Sequence, residues 1–352
     1  MNRFLIVRLG ALGDIVHAIP VAAALRRSFP DARIDWLVGA KHRELLDLVP
    51  VIDRRLVFQD SSFVSAIREL RSARYDVTFD VQGLIKSAAL ARSSGASRVV
   101  GFSASYARER LARAFYTDAH DPGRGATYDR RETRHIVEIN LGLLQTIGLT
   151  VARPEFPIEQ VDSAAARQLA AQFGGRYALL NPGAAWPNKR WPPARFAAVA
   201  RALGERHGLP SAVLWGPGEQ PLAEEIVAAS AGAAALAPKT TIADLVAVAR
   251  GASLMVSGDT GPAHVASALG VPIVGIYGPT RPSRNGPLSV SDVTVTRDAT
   301  CECHHLRRCT RDRMCLEEIA VDEVIDAVDR RLGRGAAAPG VNPSRGDVPR
   351  RA

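Results

Sequence analysis

The strongest constraint on the fold is a strand–glycine turn–helix unit that opens the chain and then keeps returning. Residues 4–8 (FLIVR) form a short apolar run of the kind found in a buried parallel strand. The turn GALGD follows, and then a segment in which Ile15, Ile19, Ala22 and Leu25 recur at helical spacing. Residues 34–38 and 75–80 (YDVTFD) read as further strands, separated by helix-length stretches such as 62–73. A second series begins at 177–180 (YALL) and continues through 211–215 (SAVLW), 254–257 (LMVS) and 272–277 (PIVGIY). Between the two series, VARPEFPIEQVD carries two prolines and little periodicity, as an interdomain linker would. The expected fold is therefore α/β, with two Rossmann-like doubly wound lobes facing across a cleft.

The 352-residue length fits two domains better than one core. We place a first lobe at 1–160, a second at 161–332, and a Gly-, Pro- and Arg-rich disordered tail at 333–352. The chain shows no bilayer-length apolar run and no signal-peptide pattern, so a cytoplasmic protein is expected. The net charge of +9 points to an anionic partner: nucleic acid, a membrane surface or a phosphorylated substrate. In the first 160 residues, 23 Lys/Arg stand against 18 Asp/Glu, without the dense basic stripe of a nucleic-acid binder. A solvated basic surface explains the charge equally well.

Loops beyond the carboxyl ends of the strands are where chemistry is expected. Gly10-Ala11-Leu12-Gly13-Asp14 permits a tight turn and puts Asp14 at a helix N-terminus, as a reactive carboxylate or as a cap. Only G-x-x-G is present, not the dinucleotide fingerprint G-x-G-x-x-G. Asp35 is read as preceding its strand, which further weakens a nicotinamide-dependent oxidoreductase, the remote alternative. Ser257-Gly258-Asp259-Thr260-Gly261-Pro262-Ala263-His264 joins a strand to a helix whose N–H groups suit a diphosphate; Asp259 or Thr260 could instead cap it. The loop 181–192 (NPGAAWPNKRWP) offers Lys189 and Arg190 to a leaving diphosphate, or is a connector held by packed tryptophan. Cys301, Cys303, Cys309 and Cys315 cluster with His304 and His305; reduced thiols are the default and a structural zinc site the alternative, since C-x-C-x5-C-x5-C matches no standard zinc spacing.

These segments, with residues 79–92 (FDVQGLIKSAALAR), 101–116 (GFSASYARERLARAFY) and 135–144 (HIVEINLGLL), resemble glycosyltransferase family 9 and its lipopolysaccharide heptosyltransferases. The type I members are most similar, while the cysteine cluster and the ending YGPTRPSRNGPL look more like type II. The segment 57–62 is short for a type I member, so another family 9 donor or acceptor is the alternative.

The resemblance implies a GT-B fold and an inverting transfer of heptose from ADP-L-glycero-β-D-manno-heptose to the Kdo region of lipid A. It implies Asp14 as general base, Lys189 on the diphosphate, Asp259 near the sugar, and Thr260 and Gly261 offering N–H groups to phosphate. His264 completes that loop, and Glu219 grips the ribose. Lys86, Arg108 and Arg110 face the anionic acceptor. No metal or other cofactor is required in this scheme. A monomer with peripheral inner-membrane contact and no nucleic-acid partner is expected.

Overall fold

The computed structural model describes residues 1–59, 63–123, 125–129, 132–304, 306–309 and 311–333. Two six-stranded, all-parallel sheets dominate it. The first comprises β1 (Arg3–Val7), β2 (Arg33–Gly39), β3 (Arg54–Phe58), β4 (Val77–Asp80), β5 (Arg98–Phe102) and β6 (Asp118–His120), in the order β3-β2-β1-β4-β5-β6. The second comprises β7 (Ala178–Asn181), β8 (Ser211–Val213), β9 (Ala234–Leu236), β10 (Leu254–Gly258), β11 (Ile273–Tyr277) and β12 (Val293–Thr296), in the order β12-β11-β10-β7-β8-β9. Phe4, Leu5, Ile6 and Val7 are fully buried, as a central strand covered on both faces requires.

Six α-helices accompany the first sheet: α1 (Leu12–Val16), α2 (Ile19–Ser28), α3 (Arg43–Asp47), α4 (Phe63–Ser72), α5 (Ile85–Ser93) and α6 (Ile136–Gly142). Seven more follow: α7 (Ala164–Phe173), α8 (Pro193–His207), α9 (Gln220–Ala229), α10 (Ile242–Arg250), α11 (Gly261–Ala268), α12 (Pro282–Asn285) and α13 (Val321–Gly333). Residues 151–163 carry neither helix nor strand and bridge the two series. Gly333, expected to open the tail, ends α13, and residues 334–352 lie outside the described residues. His305 and residues 60–62 of the short segment also lie outside them.

Each sheet reverses its winding once, between β1 and β4 and between β7 and β10. Ligands of doubly wound sheets sit at such switch points, beyond the carboxyl ends of the strands. Four loops qualify: the two after β1 and β4 in the first lobe, and the two after β7 and β10 in the second.

The lobes meet through α1 and α11. Ile15 and Ile19 belong to the same apolar cluster as Ala263, Val265 and Ala266. A Cβ on Gly13 would lie 2.2 Å from the His264 ring, and one on Gly261 would come within 3.0–3.3 Å of Leu12. Glycine at both positions lets the two helix starts interlock. Farther along the seam, the Glu44 carboxylate of α3 accepts from the Ile242 and Ala243 N–H groups at 3.1 and 3.0 Å, capping α10 across the lobes.

Gly13→Ala must push His264 aside or part the lobes. We expect a loss of about 1–3 kcal/mol, the usual penalty of overpacking, in urea unfolding. An unchanged midpoint and slope would show that the seam is not tightly packed.

Candidate functional site

The loop after β1 leads into the first turn of α1, which carries Asp14; its carboxylate forms an ion pair with Arg8 and lies 3.6 Å from Arg108 Nη1. The Ala11 N–H donates to it at 3.3 Å. Burial would raise this carboxyl, but the charges of Arg8 and Arg108 and the Ala11 N–H outweigh it and hold the group below its ordinary value. Asp14 is thus a carboxylate at neutral pH. Arg8 is buried and also donates to the Val81 carbonyl at 2.8 Å, so it is fixed. Arg108 keeps 44% of its side chain exposed and is the partner free to move.

In the neighbouring switch-point loop, Asp80 ends β4 fully buried. It accepts from Tyr116 Oη at 2.6 Å, Ser87 Oγ at 3.0 Å and the Gln82 N–H at 2.9 Å. Gln82 Oε1 in turn accepts from the Leu9 N–H at 2.8 Å, which ties this loop to the one holding Asp14.

In the second lobe, Lys189 Nζ lies 2.5 Å from Asp259 Oδ2 and 4.6 Å from the Trp186 ring centroid. His264 Nε2 is 3.0 Å from Asp259 Oδ1. Burial would raise the Asp259 carboxyl, but the His264 hydrogen bond and the Lys189 charge hold it far below the usual range. Because Asp259 is ionised, His264 Nε2 must be the donor. Lys189, expected on a diphosphate, is here held by the carboxylate expected near the sugar.

Thr260 sits at the N-cap position of α11 but makes no capping hydrogen bond, which corrects the reading of Asp259 or Thr260 as the cap. Its hydroxyl instead accepts from Asn181 Nδ2 at 2.8 Å. The start of α11, at Gly261, is therefore left uncapped by side chains, the geometry that favours an anion.

Glu219 packs over the loop after β7. A Cβ on Gly183 would strike its carboxylate at 2.1–2.5 Å, and the Gly216 N–H donates to it at 3.0 Å. Arg190, expected beside Lys189, turns away: its Nε donates to the Ala184 carbonyl at 2.9 Å and Nη2 lies 3.9 Å from Glu219. Trp191 is buried, donates to the Ile319 carbonyl at 3.1 Å and packs on Phe196. Lys86 lies 4.9 Å from the Phe58 ring centroid, and Arg110 is exposed at the start of the 3-10 segment Arg110–Phe115.

One other expectation is corrected. Asp35 lies inside β2, fully buried, accepting from Arg33 and from Tyr75 Oη at 2.6 Å; a strand-interior carboxylate so engaged cannot bind a ribose. Among the described residues no group of three or more His, Cys, Asp or Glu is arranged to hold a metal. Cys301, Cys303 and Cys315 are buried thiols with Cys309 against them, and burial pushes the first three up, keeping them protonated. His304 is engaged by the Pro279 and Asp298 carbonyls. Asn188 Nδ2 reaches Cys303 Sγ at 3.5 Å, so the cluster braces the Lys189 loop.

Residues 63–314, more than two thirds of the chain, match the family described as Glycosyltransferase family 9 (heptosyltransferase). The chain belongs to glycosyltransferase family 9. It is thus a glycosyltransferase. A lipopolysaccharide heptosyltransferase 1 from Pseudomonas aeruginosa is 30% identical over 323 residues, covering 88% of this chain and 87% of that protein. A family 9 glycosyltransferase from Veillonella parvula superposes with a TM-score of 0.77 at 24% identity, over 95% of this chain and 97% of that one. The Escherichia coli heptosyltransferase WaaC with ADP gives 0.73 at 22% identity, over 95% and 99%. The two lobes have the GT-B fold of these family 9 structures.

Sequence reading missed the histidine column between the lobes. His17 stands edge-on to His264, ring centroids 4.3 Å apart, and to His135 at 5.3 Å. His135 Nε2 lies 3.0 Å from the Gly286 carbonyl, and His17 Nδ1 is buried without a hydrogen-bond partner. Nothing in one-dimensional spacing signals a contact among positions 17, 135 and 264. The structure also has a cavity of about 450 Å³, lined by residues including His120, Arg134, Glu138 and Leu288, which does not include the loops of Asp14, Lys189 or Asp259.

Burial holds His17 well below its ordinary value and His135 down at about 4. Such groups are neutral when folded but titrate near 6.5 when unfolded, so their stabilising effect is complete above about pH 6.5 and is lost as pH falls toward 4. The slope is about 1.4 kcal/mol per pH unit for each histidine that behaves this way. Melting temperature should therefore drop between pH 7 and pH 5, and His135→Gln should reduce that drop. Equal drops in both proteins would mean the column is not buried neutral.

Proposed function

We propose that this transferase moves a heptosyl group from ADP-L-glycero-β-D-manno-heptose to the Kdo region of lipid A, with inversion at the anomeric carbon. The observation that carries the reading is the interlock of α1 with α11, Gly13 against His264, by which the helix bearing Asp14 abuts the helix whose N-terminal loop bears Asp259. The lipopolysaccharide heptosyltransferase 1 relative supports the choice of substrates.

Asp14 takes the proton of an acceptor hydroxyl as that oxygen attacks the anomeric carbon, and the bond from that carbon to the diphosphate oxygen breaks, its electron pair leaving with ADP. A carboxylate held low by two arginines is a weak base. An acidic acceptor that draws Arg108 toward its own carboxylates or phosphates would strip one of those charges from Asp14 and strengthen it as substrate arrives. Lys86 and Arg110 add to the attraction for that acceptor.

On the donor side, a diphosphate competes with Asp259 for Lys189 while the uncapped start of α11 supplies N–H groups at Thr260 and Gly261. Asp259, released from Lys189 and still held by His264, is then placed to accept from sugar hydroxyls. Glu219 is assigned to the ribose. These groups balance the leaving charge, so the scheme calls for no metal. The protein is taken to act as a monomer at the cytoplasmic face of the inner membrane; no helix among the described residues is long and apolar enough to cross a membrane.

Incubation with ADP-heptose and Kdo-lipid A should yield a product heavier by one heptosyl residue in mass spectrometry. Asp14→Asn, which keeps a hydrogen-bond acceptor beside Arg8, should lower kcat by about 10²–10⁴ while leaving ADP affinity within about twofold. Near-normal kcat in that variant would remove Asp14 from the role of base.

A further inference from the structure

One buried acid of the first lobe touches neither Asp14 nor the donor loops, yet all its hydrogen-bonding capacity is directed at the switch point. Asp80 Oδ1 accepts from the Gln82 and Gly83 N–H groups at 2.9 and 3.3 Å, and Oδ2 accepts from Tyr116 Oη and Ser87 Oγ at 2.6 and 3.0 Å. Burial pushes this carboxyl up, and the four donors oppose that. A carboxylate is costly to bury unless its oxygens are served. Here one oxygen is anchored on α5 and Tyr116, and the other holds the loop that follows β4.

That loop moors both arginines that face Asp14. The Val81 carbonyl accepts from Arg8 Nη1 at 2.8 Å, and Gln82 Oε1 accepts from the adjoining Leu9 N–H at 2.8 Å. Arg8 Nε is buried without a hydrogen-bond partner, which leaves its terminal nitrogens to direct the guanidinium. On the other side, the Gly83 carbonyl accepts from the Glu109 N–H at 2.9 Å. Gly83 has a φ of +73°, and a Cβ there would lie 3.1 Å from Arg108 N and 3.3 Å from Ala107 Cα. The backbone of Arg108 therefore rests on the loop while its side chain remains 44% exposed. His42, in the 3-10 segment Ala40–His42, and Arg284 of α12 are further groups coupled to the Asp14 charge. Arg284 is held by the Thr127 carbonyl, away from this loop.

We propose that Asp80 is a positioning residue for the transfer: by clamping residues 81–83 it fixes Arg8 and the backbone of Arg108 around the Asp14 carboxylate. The inference deepens the reading of Asp14 as the base and rests on it. It accounts for the unequal freedom of the two arginines. Arg8 is held at its guanidinium, whereas Arg108 is held at its backbone and keeps a tip that can turn to an arriving anion.

The first test uses neither donor nor acceptor. Asp80→Asn removes the charge that strengthens the four hydrogen bonds and turns one accepting oxygen into a donor. In native-state amide exchange of the full chain, the Leu9 and Glu109 N–H groups, neither of which bonds to Asp80, should exchange about tenfold faster. The Ile242 and Ala243 N–H groups, capped by Glu44 at the seam, should keep their wild-type rates. Unaltered exchange at Leu9 and Glu109 overturns the clamp, as does an equal rise at all four amides, which marks general loosening.

The second test follows the route to Arg108. Gly83→Ala leaves Asp80 in place but pushes residues 107 and 108 off the loop. The KM for the anionic acceptor should rise about threefold to tenfold, while kcat stays within about threefold and ADP affinity within about twofold. In an Arg108→Ala background, Gly83→Ala should add nothing to that rise, because the two substitutions remove the same contact. A fall confined to kcat, or fully additive effects on KM, overturns the proposal. Absence of heptosyl transfer in the wild type would sink the substrate reading, and the exchange rates would still decide the clamp.

Discussion

Everything in this protein that bears on chemistry depends on how closely α1 and α11 approach each other. Two lobes with the same winding could be joined in many relative positions, and only a few would bring both switch points to one place. The contact of Gly13 with the His264 ring and of Gly261 with Leu12 selects one of them. A side chain at either glycine would fill the gap through which the other lobe is felt. The apolar cluster shared by Ile15, Ile19, Ala263 and Val265 then makes the approach favourable, while the Glu44 cap on α10 adds a directional contact farther out.

The seam also separates two carboxylates of different character. Asp14 is held ionised by Arg8 and Arg108, one partner fixed and one exposed, so its basicity can change when an anion arrives. Asp259 is held far more firmly, by Lys189 and His264 in a buried setting, and stays charged throughout the working pH range. Between them stands the column of His264, His17 and His135, in which burial keeps the latter two neutral. The neutral rings of His17 and His135 add no charge between the acid that is to accept a proton and the cation that is to accept a leaving group. The cost is sensitivity to acid.

Much of this was legible in the sequence where burial is complete. The strands at β1, β2, β4, β7, β8, β10 and β11 announce themselves as apolar runs because both faces are covered. Strands β3, β6, β9 and β12 lie at or toward the sheet edges; β6 and β9 have three residues each and β3 begins Arg54-Arg55, so their apolar signal is too short or too diluted to read. In β5, Gly101 interrupts the pattern to admit the Tyr116 ring. The switch-point loops were found because glycine and a helix start mark them. What stayed hidden was pairing: Arg8 reads as the end of a strand until it is seen against Asp14, and Asp35 reads as preceding a strand until its place inside β2 and its bond to Tyr75 are seen.

The central claim is that the two glycine loops build one site around a leaving diphosphate. A crystal structure of the protein with ADP tests it most directly. The account predicts that the diphosphate rests on the N–H groups at the start of α11, with Lys189 Nζ moved from Asp259 to a phosphate oxygen and the terminal phosphate facing the lobe that carries Asp14. A nucleotide bound elsewhere, or bound at α11 with Lys189 still on Asp259, would contradict it.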